Sequence, residues 1–301
     1  MRAAAILGLG CSQKNLAPFQ TDARIDWRIG MPAAGDQADI ILVFGGDGTI
    51  HRHLSQLMKL GLPVLVVPAG SGNDFARALG LRGVRDSLAA WGRFCSRKDN
   101  LRTIDLGVIS PLDADAGGAP APHSSAGNSV RHYFCSVAGL GLDAEVARRA
   151  NALPRWLRGH GGYALTLAPT IFRFAALLMK ISTPDEAGEW ATRRDQPTIL
   201  AAFANTSTYG GGMKIAPLAR MDDGQLDVCV IGGIDPFKLA CLFPTVYFGR
   251  HLGIRAVEYF QAARLRVETG TPLEVYADGE YICRTPVEVT VQPEALKVLT
   301  P

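Results

Sequence analysis

Residues 38–54, "ADIILVFGGDGTIHRHL", constrain the fold of this 301-residue chain more than any other stretch. An apolar, β-branched run ends on Gly45, Gly46 and Gly48 around the single charge of Asp47, and a helical pattern follows at once. A strand that stops on glycines and turns into a helix bares backbone N–H groups, with no Cβ in the way of an approaching anion. Residues 64–80, "VLVVPAGSGNDFARALG", repeat the device with Ser71, Asn73 and Asp74 in the turn. Adjacent parallel strands would bring both turns to one sheet edge, as two sides of a cradle for a nucleotide's phosphates.

The neighbouring patterns supply such strands. "AAAILGLG", "DIILVFGG" and "PVLVVPAG" read as strands, and "TIHRHLSQLMKLG" as a helix closed by Gly61. "GNDFARALGL" opens another helix, with Asn73 or Asp74 as its N-cap. This alternation predicts an α/β domain built on a parallel sheet. From about residue 101 short strands and turns take over, and they predict a β-rich, antiparallel, sandwich-like second domain with helices near 143–150 and 161–178. Residues 111–129, rich in Ala, Gly, Pro and Ser, read as a mobile loop inserted between two strands. The expected division is 1–105 plus about 292–301 for the first domain and 106–291 for the second.

Composition narrows the function classes. With 31 Lys and Arg against 28 Asp and Glu the net charge is +3 and no basic block stands out, so nucleic-acid binding has little support, while an anionic membrane surface remains compatible. Six scattered cysteines without a C-x-x-C pair argue against zinc and for a reducing cytosol. "MRAAAILGLGCSQ" has the outline of a lipoprotein leader, but its apolar stretch is short for one, and a buried first strand is the expectation. The longest apolar candidate, "YALTLAPTIFRFAALLMKI", contains Pro169, Arg173 and Lys180 and does not read as a span. A soluble, cytoplasmic protein in transient contact with membranes is expected, and a homodimer is compatible with the sequence.

G-G-D-G-T followed by P-x-G-[ST]-x-N-D-F-A-R resembles the diacylglycerol kinase catalytic-domain family, which includes sphingosine and ceramide kinases and soluble bacterial lipid kinases. The resemblance continues through "IDLG" (104–107), "GLGLDAEVARRA" (139–150), "NTSTYGGGMKIAP" (205–217), "MDDGQLDVCVI" (221–231) and "ADGEY" (277–281). It implies ATP-dependent phosphorylation of a lipid hydroxyl, on a two-domain architecture like that of NAD and diacylglycerol kinases, with the nucleotide in the cleft between domains. Gly45, Gly46, Asp47, Gly48 and Thr49, with Ser71, Gly72 and Asn73, would contact the nucleotide. Asp47 would serve the magnesium ion or the incoming hydroxyl, and Asp278 or Glu280 would be the general base. A structural magnesium would use the Asp223 carboxylate and backbone oxygens near Arg220 and Gln225, hard ligands suited to that ion.

Two places depart from the family pattern. No N-P-x-S-G loop follows the first strand, which leads instead into "CSQKNLAPF", and His51 and Arg52 stand where Asn-Glu is usual. Two alternatives follow: a kinase of NAD, which shares the G-G-D-G-T loop, or a lipid- or nucleotide-binding member without catalysis. "GLGLDA" reads as a tight strand–helix turn rather than a dinucleotide fingerprint, and "YGGGM" (209–213) as a glycine-rich bend. Arg148, Arg149, Arg155, Trp156, Arg158 and His160 read either as a lipid-facing segment or as a solvated helix face. P-loop and protein-kinase motifs are absent.

Overall fold

The computed structural model describes residues 1–112, 131–152 and 169–301. The loop expected over 111–129, the first half of the helix expected over 161–178, and Arg155, Trp156, Arg158 and His160 lie wholly or mainly outside the described residues. The chain divides into two compact units. The first holds Met1–Leu106, Met221–Asp223 and Pro293–Pro301, and the second Gly107–Arg220 and Gly224–Gln292.

The first unit is an α/β layer. Its elements are β1 (Arg2–Leu7), α1 (Gln13–Leu16), β2 (Asp26–Ile29), β3 (Ile40–Gly45), α2 (Asp47–Leu60), β4 (Val64–Pro68), α3 (Asp74–Ala78), α4 (Val84–Ser96) and the first half of β5 (Leu101–Pro111). β1, β3 and β4 run parallel in the order β1–β3–β4, with β2 parallel on the outer side of β1. All six residues of β3 are buried, the near-continuous apolar run expected of a strand covered on both faces. α2 buries Ile50, Leu54 and Leu57 and ends on Gly61 in the left-handed conformation (φ 62°), as its sequence predicts.

The second unit comprises β6 (His132–Phe134), β7 (Val137–Gly141), α5 (Leu142–Ala152), β8 (Leu177–Pro184), β9 (Trp190–Ala204), β10 (Leu226–Gly232), α6 (Pro236–Tyr247), β11 (Val257–Ala262), β12 (Arg264–Thr269), β13 (Glu274–Ala277), β14 (Glu280–Arg284) and the start of β15 (Val287–Leu299). Strands β7 to β14 pair antiparallel with one another, and β9 is the hub. Trp190–Thr198 pairs with β8, and Leu200–Ala204 lies between β7 and β10. Ala201 and Phe203 face one core, while Leu200, Ala202 and Ala204 face another, so this stretch is buried on both sides. The far end of β15 returns to the first unit, where Val298 pairs in parallel with Val64 of β4.

One expectation is corrected, and one helix is added. Leu177 already begins β8, which turns Met179 and Ile181 inward at strand period, so no helix reaches 178. The sequence pattern does not reveal α6. Asp235 caps it by accepting the Phe237 and Lys238 N–H groups, and Pro236 sits in its first turn. Its apolar residues run all round the helix and blur the 3.6-residue period that reveals an amphipathic one.

Candidate functional site

Both glycine turns leave the same edge of the parallel sheet. Gly45 pairs with Pro68, and the Ala69 N–H donates to the Gly45 carbonyl at 3.0 Å. The turns then touch. A Cβ on Gly70 would lie 2.5 Å from the Gly46 Cα, and one on Gly46 would lie 2.9 Å from the Gly70 Cα, so only glycine allows this approach from both sides. Asn73 holds the second turn closed in the left-handed conformation (φ 55°), its side-chain amide donating to the Gly70 carbonyl at 2.6 Å and its Oδ1 accepting the Gly70 N–H at 2.9 Å.

Asp47 ties the turns together. Its Oδ2 accepts the Asp74 N–H at 3.0 Å and its Oδ1 the Phe75 N–H at 3.1 Å. The cap of α3 therefore comes from the other turn. Asn73 occupies the N-cap position, but its side chain is turned back to Gly70. Asp74 is buried and takes the Arg77 guanidinium at 2.6 Å.

The end of β1 contributes a glycine that the sequence motifs did not single out. The Gly8 N–H donates to the Phe44 carbonyl at 2.7 Å, and a Cβ there would lie 2.7 Å from the Thr49 hydroxyl oxygen. A Cβ on Gly45 would also collide with the Thr49 side chain. The available signal was glycine at the end of each of three parallel strands. Gly45 to Thr49, Ser71, Gly72 and Asn73 are thus gathered at one edge of the first unit, with Ser71 exposed.

Asp278 and Glu280 belong to the second unit. Asp278 sits at the β13–β14 turn with φ 51°, and its carboxylate accepts the Cys135 N–H at 2.9 Å and the Ser136 N–H at 2.8 Å. The Cys135 thiol also donates to it, at 3.4 Å. Asp278 thereby braces the link between β6 and β7. Glu280 is exposed at the start of β14, and Asn151 of α5 donates to the Gly279 carbonyl between them at 2.7 Å.

Around the Asp-Asp-Gly turn, Asp222 meets Arg102 at 2.9 Å, the Met221 carbonyl accepts the Asp105 N–H at 2.7 Å, and Gly224 takes φ 71°. Asp223 and Arg220 are exposed and Gln225 is half-buried. Among the described residues no cluster of three or more His, Cys, Asp or Glu side chains could hold a metal ion, so a cation here would depend on backbone oxygens.

"GLGLDA" is a direct strand–helix turn, since β7 passes into α5 without a break. It also carries a buried acid whose importance the sequence did not disclose. Asp143 accepts the Tyr209 hydroxyl at 2.6 Å among Leu142, Val146, Leu200, Met213 and Phe243. Burial pushes its carboxyl up to about 6, and the tyrosine pulls it the other way. "YGGGM" is a bend closed by the Tyr209 N–H donating to the Met213 carbonyl at 3.0 Å, with Gly210, Gly211 and Gly212 all at positive φ.

Residues 13–109 match the model of the diacylglycerol kinase catalytic domain, and residues 136–300 that of the YegS C-terminal NAD kinase beta sandwich-like domain. A diacylglycerol kinase from Mycobacterium tuberculosis is 32% identical over 275 residues, covering 89% of this chain and 79% of its own. The chain belongs to the diacylglycerol kinase family. A crystal structure of a candidate diacylglycerol kinase from Bacillus anthracis aligns to 100% of this family member and 96% of its own chain, with a TM-score of 0.71 and 20% identity. An NAD kinase from Archaeoglobus fulgidus, crystallised with ATP, shares the fold more distantly, with a TM-score of 0.52 and 13% identity over 100% of this chain and 94% of its own. This diacylglycerol kinase family member is therefore a lipid kinase-like enzyme on the two-domain plan. No helix among its described residues is long and apolar enough to cross a membrane.

Proposed function

We propose that the chain transfers the γ-phosphate of ATP to the hydroxyl of a diacylglycerol-like or other lipid alcohol. The observation that carries this reading is the junction of the two glycine turns at Gly46 and Gly70, locked by Asp47, among exposed and half-exposed residues. Such a surface suits phosphate oxygens, which need N–H donors and close approach.

In this reading residues 1–105 with 292–301 bind the nucleotide, and residues 106–291 bind the lipid. Gly45, Gly46, Gly48, Thr49, Ser71, Gly72 and Asn73 hold the phosphates, and Asp47 fixes the two turns in register. Asp278 or Glu280 takes the proton from the lipid hydroxyl. The hydroxyl oxygen bonds to the γ-phosphorus, the bond from that phosphorus to the β–γ bridging oxygen breaks, and ADP leaves. Magnesium bound with ATP would neutralise charge on the phosphates. A second, structural magnesium suits the Asp223 carboxylate with backbone oxygens near Arg220 and Gln225, an all-oxygen set. The enzyme works in the cytoplasm and meets its acceptor at the membrane surface.

The test is incubation of the pure protein with magnesium, γ-labelled ATP, a mixed lipid extract and NAD, followed by solvent partition. Label is expected in an organic-soluble lipid phosphate. Label in NADP would replace this reading with the NAD kinase one, and label remaining in ATP would leave a binding protein.

A further inference from the structure

We propose that the outer face of α6, with the segment that follows it, is the surface by which this protein docks on an anionic lipid bilayer. The inner face of the helix is spent on the core, where Leu239, Leu242, Phe243 and Val246 are buried. Its outer face is also apolar. Phe237, Cys241, Pro244 and Phe248 recur at spacings of four, three and four residues, and all four are exposed. Phe237 is 72% and Phe248 71% exposed, values unusual for phenylalanine on a surface bathed only by water. Phe172, 52% exposed, meets the Phe237 ring edge-on at 5.5 Å between centroids and widens the patch.

A helix apolar all round is one whose second face has another apolar phase to meet. Charge selects that phase. Residues 234–256 carry Lys238, Arg250 and Arg255 against one acid, Asp235, whose carboxylate caps the helix. The three cations are exposed, and none forms an ion pair among the described residues. Lys238 and Arg255 also line the apolar cleft of about 650 Å³ beside the helix, so two cationic side chains border apolar surface. Aromatic rings flanked by exposed cations match the boundary between acyl chains and anionic headgroups. The proposal extends the lipid-acceptor reading by identifying the face that brings the enzyme to its substrate.

The test is co-sedimentation of the full chain with vesicles of phosphatidylglycerol or of phosphatidylcholine, alongside phosphorylation of a short-chain diacylglycerol dissolved without vesicles. The wild type should sediment with phosphatidylglycerol. Phe237→Glu combined with Phe248→Glu should lower vesicle affinity by more than about tenfold while phosphorylating the soluble acceptor within about twofold of wild type. Because glutamate replaces exposed rings, folding should be unaffected, and an unchanged unfolding midpoint confirms it. Lys238→Gln with Arg255→Gln should weaken binding to phosphatidylglycerol and flatten its salt dependence. Undiminished binding by both double variants would overturn the proposal, as would a wild type that ignores both vesicles. A wild-type dimer made monomeric by the phenylalanine variants, with vesicle binding intact, would assign the face to self-association instead. Vesicle binding lost in the variants of a protein that phosphorylates no lipid would leave the docking surface standing and remove the kinase reading alone.

Discussion

Asp47 caps the backbone of Asp74. The carboxylate leaves the first glycine turn, and its Oδ2 accepts the Asp74 N–H of the second at 3.0 Å, with Phe75 bound alongside at 3.1 Å through Oδ1. The charge that most resembles a catalytic group thus spends much of its hydrogen-bonding capacity on geometry. Both of its oxygens serve this lock.

Asp47→Asn should therefore damage structure as well as activity. The amide oxygen can serve one N–H, and its NH2 group faces a second donor. A loss of about 1–3 kcal/mol is expected from unfolding in urea, because a buried donor is left without an acceptor. Turnover should fall about a hundredfold or more. Full stability together with lost turnover would assign Asp47 a purely chemical role.

Gly70→Ala should force the two turns apart, since its Cβ would stand 2.5 Å from backbone that cannot yield. ATP affinity, read by calorimetry, should drop by more than about tenfold, with stability lowered by about 1–3 kcal/mol. Gly92→Ala is the matching control. It lies exposed within α4 with nothing near the added methyl, and should stabilise the protein by about 0.5–1 kcal/mol through helix propensity alone. Equal nucleotide affinity in both variants would remove the cradle from nucleotide binding.

Asp278 and Glu280 can be separated by comparing stability with rate. Asp278→Asn keeps a residue that tolerates positive φ but loses one acceptor for the Cys135 and Ser136 N–H groups, so its unfolding midpoint should fall by several degrees. Glu280→Gln changes an exposed side chain and should leave stability within about 0.5 kcal/mol. If Glu280→Gln alone abolishes turnover at an unchanged midpoint, Glu280 is the base. If it turns over normally, Asp278 is left with that role.

Asp143 makes stability depend on pH. Burial raises its carboxyl to about 6 from 3.8, so the folded chain holds that proton more tightly than the unfolded chain does. The resulting stabilisation is complete below about pH 3.8 and is lost as pH rises through about 6, an effect on the order of 3 kcal/mol. Asp143→Asn still offers Tyr209 an acceptor and cannot ionise. Its urea midpoint relative to wild type should climb between about pH 4 and 6 and level off above that range. Parallel profiles would show that Asp143 ionises in the fold without penalty.

The features legible in the sequence are local. The apolar run of β3, the glycines after it, the helix ending at Gly61 and the second copy of the device at 64–80 all follow from side-chain period and backbone freedom within a dozen or so residues. The two glycine turns could be expected on one sheet edge because parallel strands joined by a helix leave their ends there. α6 escaped notice for a physical reason. Helical period is plainest when one face is polar, and Phe237, Cys241, Pro244 and Phe248 leave the outer face largely apolar, with Lys238 its one charge. The helix expected over 161–178 runs too far, because Leu177 and Leu178 fit a helix or a strand over so short a run.

Partners far apart in the chain were decided only by tertiary structure. Asp47 and Asp74 are 27 residues apart, and Asp278 and Cys135 are 143 apart. Nothing in either motif says that an acid drawn from a glycine turn caps a helix, or that one drawn from a β-turn braces two other strands. The same holds for Gly46 against Gly70 and for the burial that lifts Asp143. Sequence period specifies which face of an element is apolar. Strand register and packing specify which donor stands within 3 Å of which acceptor, and hydrogen bonding and desolvation depend on that distance.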